Sequence, residues 1–500
     1  MTETTSSGAE TAIWSRRTVA LGATAAVLVA IGDVLFYRHE PGLSLALMGA
    51  AVIVVLLALH ADRLRERSVV LAGVLAVVSL LPLVEAPTLT GFLWGLFGVS
   101  VLALALAGDL PSRFEDLTAT LARFGVLAPF RLIGDALKLL GEAGNQKASG
   151  KVLRGLLVWL VPLGFAAVFA VLFVAANPIL ESALKAIRLQ SLLDLIDPAR
   201  FFLWGFVGVM VWPLLAPRLL KVPMVAAMQG PVLPRAEGLI FGGAAIRNSL
   251  VLFNAIFAVQ SVMDLLFLWG GVRLPDGMSH AEYAHRGAYP LIVTALLAAA
   301  FVLAAMRKGG AGERSALIRG LVYLWIAQNV LLVVSSILRL EFYVEEYALT
   351  ELRLAAGLWM ALVAIGLLLI LARIALQRSN AWLVTLNLAS LAVVLYGVSV
   401  VDTRALIAWF NVGHSYEITG KGQRLDLYQM SDLGWTAMPA LDWFLAHVPE
   451  DRGSDATRDL RLMRGAQADL VLQPADWQSW SWRSERLRQY VLEHPYAPGA

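Results

Sequence analysis

Apolar residues in this chain run together rather than alternate. Stretches of roughly 20 apolar residues follow one another from position 18 to position 401, each close to the length that an apolar helix needs to cross about 30 Å of hydrocarbon. Eleven such spans can be drawn: Thr18 to Phe36, Leu43 to Leu59, Ser68 to Glu85, Thr88 to Gly108, Leu153 to Ala176, Phe201 to Leu220, Ala245 to Gly270, Gly287 to Met306, Ala316 to Leu338, Leu354 to Ala375 and Ala381 to Val401. The pattern predicts an all-α, polytopic integral membrane protein with about 11 transmembrane helices. Residues 1–17 form a polar tail, and the apolar run behind it is too long for a cleaved signal and leads straight into further spans. Two amphipathic segments, near 113–140 and 179–196, predict helices lying on the membrane surface. From Asp402 the apolar runs stop. Residues 402–500 predict a small, mainly helical domain, with two short helices in DLYQMSDLGWTAMPALDWFLAHVPE broken at Gly434 and near Pro439, and a last helix around WRSERLRQYVLEH.

Composition supports that class. Hydrophobic residues make up 58% of the 500, and charged residues only 15%, against about 25% in soluble domains. The absence of cysteine excludes disulfides, thiolate metal sites and cysteine nucleophiles. The net charge of +3 is spread out, with no basic stripe to suggest nucleic-acid binding. Lys and Arg alternate between loops: with the N-terminus on the cytoplasmic side, 22 basic residues fall inside and 8 in the opposite loops, as the positive-inside rule requires. An odd number of spans then puts the C-terminal domain outside. That domain carries six of the 15 tryptophans, which suit packing or seating against lipid headgroups.

Polar residues inside spans are functional candidates because lipid offers them no partner. In the seventh span Asn254 and Ser261 share a face, while Gln260 and Asp264 are four apart; in the ninth, Gln328, Ser335 and Arg339 form one stripe. Asp264 and Arg339 thus form a candidate ion pair toward the outer end, and the competing reading is that these groups simply hydrogen-bond helices together. After the seventh span, VRLPDGMSHAEYAHRGAYPLI gives a capping box of Ser279 and Glu282 and places Glu282, Tyr283, His285 and Arg286 on one short helix. His280 and His285 are five apart rather than four, which speaks against a metal. In LRLEFYVEEYALTELR, from Leu338 to Arg353, the chain must reverse. Thr350 caps the tenth span with Glu351 in its first turn, Tyr343 and Tyr347 fit an aromatic belt, and Arg339, Tyr343 and Glu346 share a face. Glu345 and Arg353 complete the outer polar cluster. Gly91 and Gly95 in GFLWG fit close helix packing or dimerisation.

The stretches EYAHRGAYPLI, SSILRLEFYVEEYALTELRL, IAWFNV and DLYQMSDLGWTAMPAL resemble an uncharacterised family of bacterial multi-pass membrane proteins, the domain of unknown function numbered 4173, related to 4153. The resemblance covers the last half to two thirds of the chain. Its distinctive pattern is matched by Arg339, Tyr343, Tyr347, Leu349, Thr350 and Arg353, with Ala348 where glycine is usual. It implies a multi-pass protein of the bacterial cytoplasmic (inner) membrane, and no reaction, substrate or cofactor.

The leading expectation is a non-enzymatic envelope assembly, signalling or transport component with its polar site on the outer face. Its partners are the lipid bilayer and an envelope protein or a lipid or glycan ligand, with an oligomer left open. The first alternative is a membrane transferase or hydrolase acting on a lipid-linked or glycan substrate, with Glu345, Glu346 or Asp264 as base. A secondary transporter is the other, although no inverted repeat is visible.

Overall fold

The computed structural model describes residues 4–111, 197–217, 243–266 and 315–495, with a few isolated positions between 117 and 135. Among them every regular element is a helix. Among the described residues seven helices are long and apolar enough to cross a membrane, and two apolar stretches, Ala20–Phe36 and Leu43–Leu59, are slightly shorter. The expected spans Leu153 to Ala176 and Gly287 to Met306 lie outside the described residues, as do nearly all of the segments near 113–140 and 179–196. The chain divides into two compact units, residues 1–220 with 475–482, and residues 221–474 with 483–500.

The first unit contains α1 (Thr4–Phe36), α2 (Leu43–Leu59), α3 (Arg67–Glu85), α4 (Leu89–Ala107) and α5 (Pro198–Leu215). Helix α1 starts well before the first apolar run, so most of the polar tail is helical. The contact between α3 and α4 depends on small residues: a Cβ on Gly98 would lie 2.0 Å from Ser79 Oγ, and one on Gly95 would lie 3.1 Å from the Leu83 side chain. The GFLWG glycines therefore serve packing within the chain. Caps follow local chemistry. Thr88 Oγ1 accepts from Gly91 N at 3.1 Å to open α4, and Asp197 accepts from Ala199 N at 3.0 Å to open α5. In the turn after α2, Arg63 grips Glu66 through two hydrogen bonds of 2.6 and 2.8 Å and donates to the Leu106 carbonyl at 2.6 Å. The Arg63 guanidinium holds the Glu66 carboxyl below its ordinary range.

Residues 475–482 pack on the turn between α1 and α2. Leu43 N donates to the Trp480 carbonyl at 2.7 Å, and His39 Nδ1 lies 2.8 Å from Asp476 Oδ2. Gly42 permits this contact, since a Cβ there would fall 2.3 Å from the Ser479 carbonyl carbon. Part of the tryptophan-rich segment thus packs through its backbone, whereas the Trp477 and Trp482 side chains remain exposed.

The second unit begins with α6 (Gly243–Asp264), α7 (Ala316–Tyr347), α8 (Glu351–Ala375) and α9 (Asn380–Val400). Helix α7 runs past the expected end at Leu338. Its 32 residues span about 48 Å at 1.5 Å each, more than hydrocarbon requires, because the Leu, Arg and Glu of LRLEFYVEEY are good helix formers and no Gly or Pro interrupts them. Then come α10 (Thr403–His414), α11 (Tyr416–Thr419), α12 (Leu427–Asp432), α13 (Met438–His447), α14 (Glu450–Leu472) and α15 (Trp482–Glu493). They enclose a core of Ile407, Val412, Met430, Leu441, Phe444 and Leu460. Pro439 does not break a helix but sits in the first turn of α13, where its missing N–H costs nothing. Helix α14 was not expected from its sequence, because it is polar along most of its length. Arg464 of α14 is buried against Asp442, with hydrogen bonds of 3.0 to 3.3 Å. The Tyr490 hydroxyl donates to the same carboxylate at 3.1 Å, and burial together with that charge pushes the phenol up to about 12.

Replacing Gly42 by Ala is expected to detach residues 475–482 while leaving α1 to α5 folded. Hydrogen exchange at the Leu43 amide checks this: exchange at least about ten times faster is the expected outcome, corresponding to a loss of about 1.4 kcal/mol, and unchanged protection would contradict it.

Candidate functional site

Helices α6 and α7 lie side by side and run in the same direction. Near their middle Phe253 stacks on Trp325 with ring centroids 5.4 Å apart, and Phe257 meets the same ring edge-on at 5.9 Å. Asn254 Nδ2 donates to the carbonyls of Leu250 at 2.7 Å and Leu321 at 3.1 Å, while Gln328 Nε2 donates to the Asn254 carbonyl at 3.3 Å. Toward the C-terminal end of α6 the carboxylate of Asp264 pairs with the Arg339 guanidinium, and Gln260 Nε2 donates to the same carboxylate oxygen at 2.9 Å. The Asp264 side chain is 0% exposed and that of Arg339 3%. The pairing of Asp264 with Arg339 expected from the sequence is one of these contacts. Removing one member of a buried ion pair of this kind costs about 3–5 kcal/mol.

The break between α7 and α8 is only three residues, 348–350. Thr350 Oγ1 accepts from Arg353 N at 3.4 Å, and Glu351 in the first turn of α8 pairs with Arg404 at 2.7 Å. The side chain of Arg353 turns back and donates to the carbonyls of Tyr347 and Ala348. It also lies over the Tyr343 ring, 4.5 Å from its centroid, and the Tyr343 and Tyr347 rings are 4.9 Å apart. Arg353 thus closes the C-terminal end of α7, where a cation and a donor are both favourable. Ala348 adopts φ 61, ψ 171, a region that side chains avoid at a cost of about 1–3 kcal/mol.

Leu349, at the centre of the break, is held by its backbone. Its N–H donates to Asn411 Oδ1 at 2.8 Å. Its carbonyl accepts from Asn411 Nδ2 at 2.9 Å and from Gln429 Nε2 at 2.5 Å. Asn411 comes from α10 and Gln429 from α12, and the side chain of Leu349 packs against the core of the same domain. Sequence reasoning had not assigned a role to Asn411 or Gln429. The signal for them was present: Asn411 lies in IAWFNV and Gln429 in DLYQM, two of the stretches that carry the family resemblance.

Beside this clamp opens a cleft of about 410 Å3. Val344, Phe410 and Met430 give it an apolar floor; His414, Lys421 and Arg424 bring basic groups, and Glu345 and Asp426 acidic ones. Glu345 and Glu346 are both exposed, and only Glu345 lines the cleft. Of the sequence-derived cluster, then, Asp264 and Arg339 form one buried pair, Tyr343 and Arg353 close a helix end, and Glu345 faces the cleft. Glu282, Tyr283, His285 and Arg286 lie outside the described residues. Among the described residues, no three His, Asp or Glu side chains are grouped as a metal site would need.

A family model described as a domain of unknown function, DUF4153, matches residues 19–443. The chain belongs to that family. The DUF4153 match takes in most of both units, with the 348–350 break, Asn411, Gln429 and the cleft, and it corresponds to the relative of the 4173 family rather than to the 4173 family itself. No curated protein and no solved structure matches the chain.

Glycine at position 348 is expected to relieve the backbone strain. Ala348→Gly should stabilise the protein by about 1 kcal/mol, once the greater chain entropy of glycine is subtracted from the relief. Thermal unfolding in detergent checks this, with a raised midpoint expected and a lowered one contradicting the strain.

Proposed function

We propose that the protein is a non-enzymatic component of the bacterial cytoplasmic membrane that binds an envelope ligand, a lipid or glycan headgroup or a protein segment, in the cleft beside Leu349. In this reading the N-terminus is cytoplasmic, the domain from Asp402 onward lies outside, and the cleft faces the envelope. The distribution of Lys and Arg among the loops supports that orientation. Kinship to the 4173 family rests on the motif around Arg339 to Arg353 and belongs to the same proposal.

The observation that carries the reading is the cleft itself. Its walls come from the end of α7 and from α10 and α12, and the clamp on Leu349 fixes those elements against one another. It offers an apolar floor, charges of both signs and side-chain amides, which together can orient a ligand with apolar and polar parts. Glu345 and Glu346 favour a second reading as a transferase or hydrolase, because exposed carboxylates beside a cleft are available as bases. Against it, among the described residues lining the cleft no nucleophile is hydrogen-bonded to a base.

Charge reversal at the rim tests the proposal, since Lys421 and Arg424 are exposed and replacing them should leave folding intact. In a strain deleted for the gene, the Lys421→Glu, Arg424→Glu protein is expected to reach the membrane at normal abundance and fail to restore the wild-type phenotype. The Glu345→Gln, Glu346→Gln protein is expected to restore it. Full restoration by the charge-reversed protein would overturn the binding role, and loss of function in the abundant Gln protein would favour the enzyme.

A further inference from the structure

The seam between α6 and α7 contains more oxygen than its helix contacts use. Asn254 Oδ1, Ser261 Oγ and Gln328 Oε1 are buried and have no hydrogen-bond partner. Asn254 and Ser261 are each only 6% exposed. Both N–H groups of Asn254 and one of the two on Gln328 are committed to backbone carbonyls, so what these side chains have left is chiefly acceptors. Between helices of membrane-spanning length no bulk water or spare backbone N–H is at hand, and an acceptor without a donor is costly. The seven-residue spacing puts Asn254 and Ser261 on one face, separated by about 10 Å along the axis. The oxygens therefore form a row rather than a single coordination sphere. Phe253 and Phe257 of α6 pack on Trp325 of α7 near Asn254 in the sequence, and the Asp264–Arg339 pair follows Ser261 toward the C-terminal end of α6.

We propose that this seam is a hydrated site for a small monovalent cation. Neutral oxygens and water suit such an ion. A divalent ion is normally held by at least one carboxylate, whereas the carboxylate at the end of the row is already paired with Arg339. The inference does not depend on the cleft beside Leu349, since it concerns other residues. It adds a route by which a charge could enter the membrane-spanning part of the chain.

The natural chain has no cysteine, so a single introduced thiol can be followed without background. Ag+ is a suitable probe because it is a bare monovalent cation that bonds to sulfur, the S–H proton passing to water as S–Ag forms. The full chain, carrying Ser261→Cys or Gln328→Cys, is reconstituted in vesicles with Ag+ on both faces, so that orientation does not matter. After washing, the protein is denatured and the remaining thiol is labelled with a fluorescent maleimide. Val262→Cys is the control, as Val262 is 53% exposed on the apolar outside of the helix. Ag+ is expected to reduce labelling at positions 261 and 328 at least about ten-fold and at position 262 less than two-fold. Equal labelling at all three positions would overturn the proposal. Protection by neutral methyl methanethiosulfonate but not by Ag+ would also overturn it, because the seam would then admit small neutral molecules and exclude cations.

Discussion

The pairing of Asp264 with Arg339 is the constraint on which the helix pair α6–α7 of the second unit depends. A charge buried between two apolar helices is tolerable only when its partner stands opposite it. The pair therefore fixes the register of α6 against α7 at a single setting, and a slide by one turn would separate the charges by about 5.4 Å. With that register set, Phe253 meets Trp325 and Gln328 meets Asn254, so the aromatic and amide contacts lower in the seam follow from the ionic one. Because α7 continues without a break to Tyr347, the same register also determines where the helix ends and where the 348–350 link begins.

The link converts this helical arrangement into a site. Three residues are too few to fold by themselves, and Ala348 holds a conformation that its side chain disfavours. What maintains it is external: Arg353 on the carbonyls before the break, and Asn411 and Gln429 on both polar groups of Leu349. A side-chain amide that matches one residue's N–H and C=O together acts as a strand partner would, without a strand. The cleft depends on that clamp, since Glu345 and Val344 come from one side of it and Lys421, Arg424 and Met430 from the other.

Much of this was legible in the sequence, for identifiable reasons. Runs of apolar residues reveal helices of membrane length, and the spacing of Asp264 and Arg339 within theirs identified two groups that could not be left alone in lipid. The Thr350 cap and the Glu351 first turn were legible because capping is local chemistry. The opposite holds for Arg353. As an isolated cation it read as a member of the outer polar cluster, whereas its bonds to Tyr347 and Ala348 depend on the chain folding back. Asn411 and Gln429 were illegible as a clamp because they lie 62 and 80 residues from Leu349, and pairing over such distances leaves no periodicity. Helix α14 was missed because its buried face is narrow and includes Arg464 and Gln467, so that its polarity concealed its packing.

The buried pair, the link and the cleft thus form one chain of dependence, and its first element can be tested by itself. The measurement is the thermal stability of detergent-purified protein carrying Asp264→Leu, Arg339→Met, or both. Each single replacement should cost about 3–5 kcal/mol by breaking the buried pair, and the double replacement should recover most of that loss. Single variants that cost less than about 1 kcal/mol, or a double variant as unstable as the sum of the two, would contradict the account.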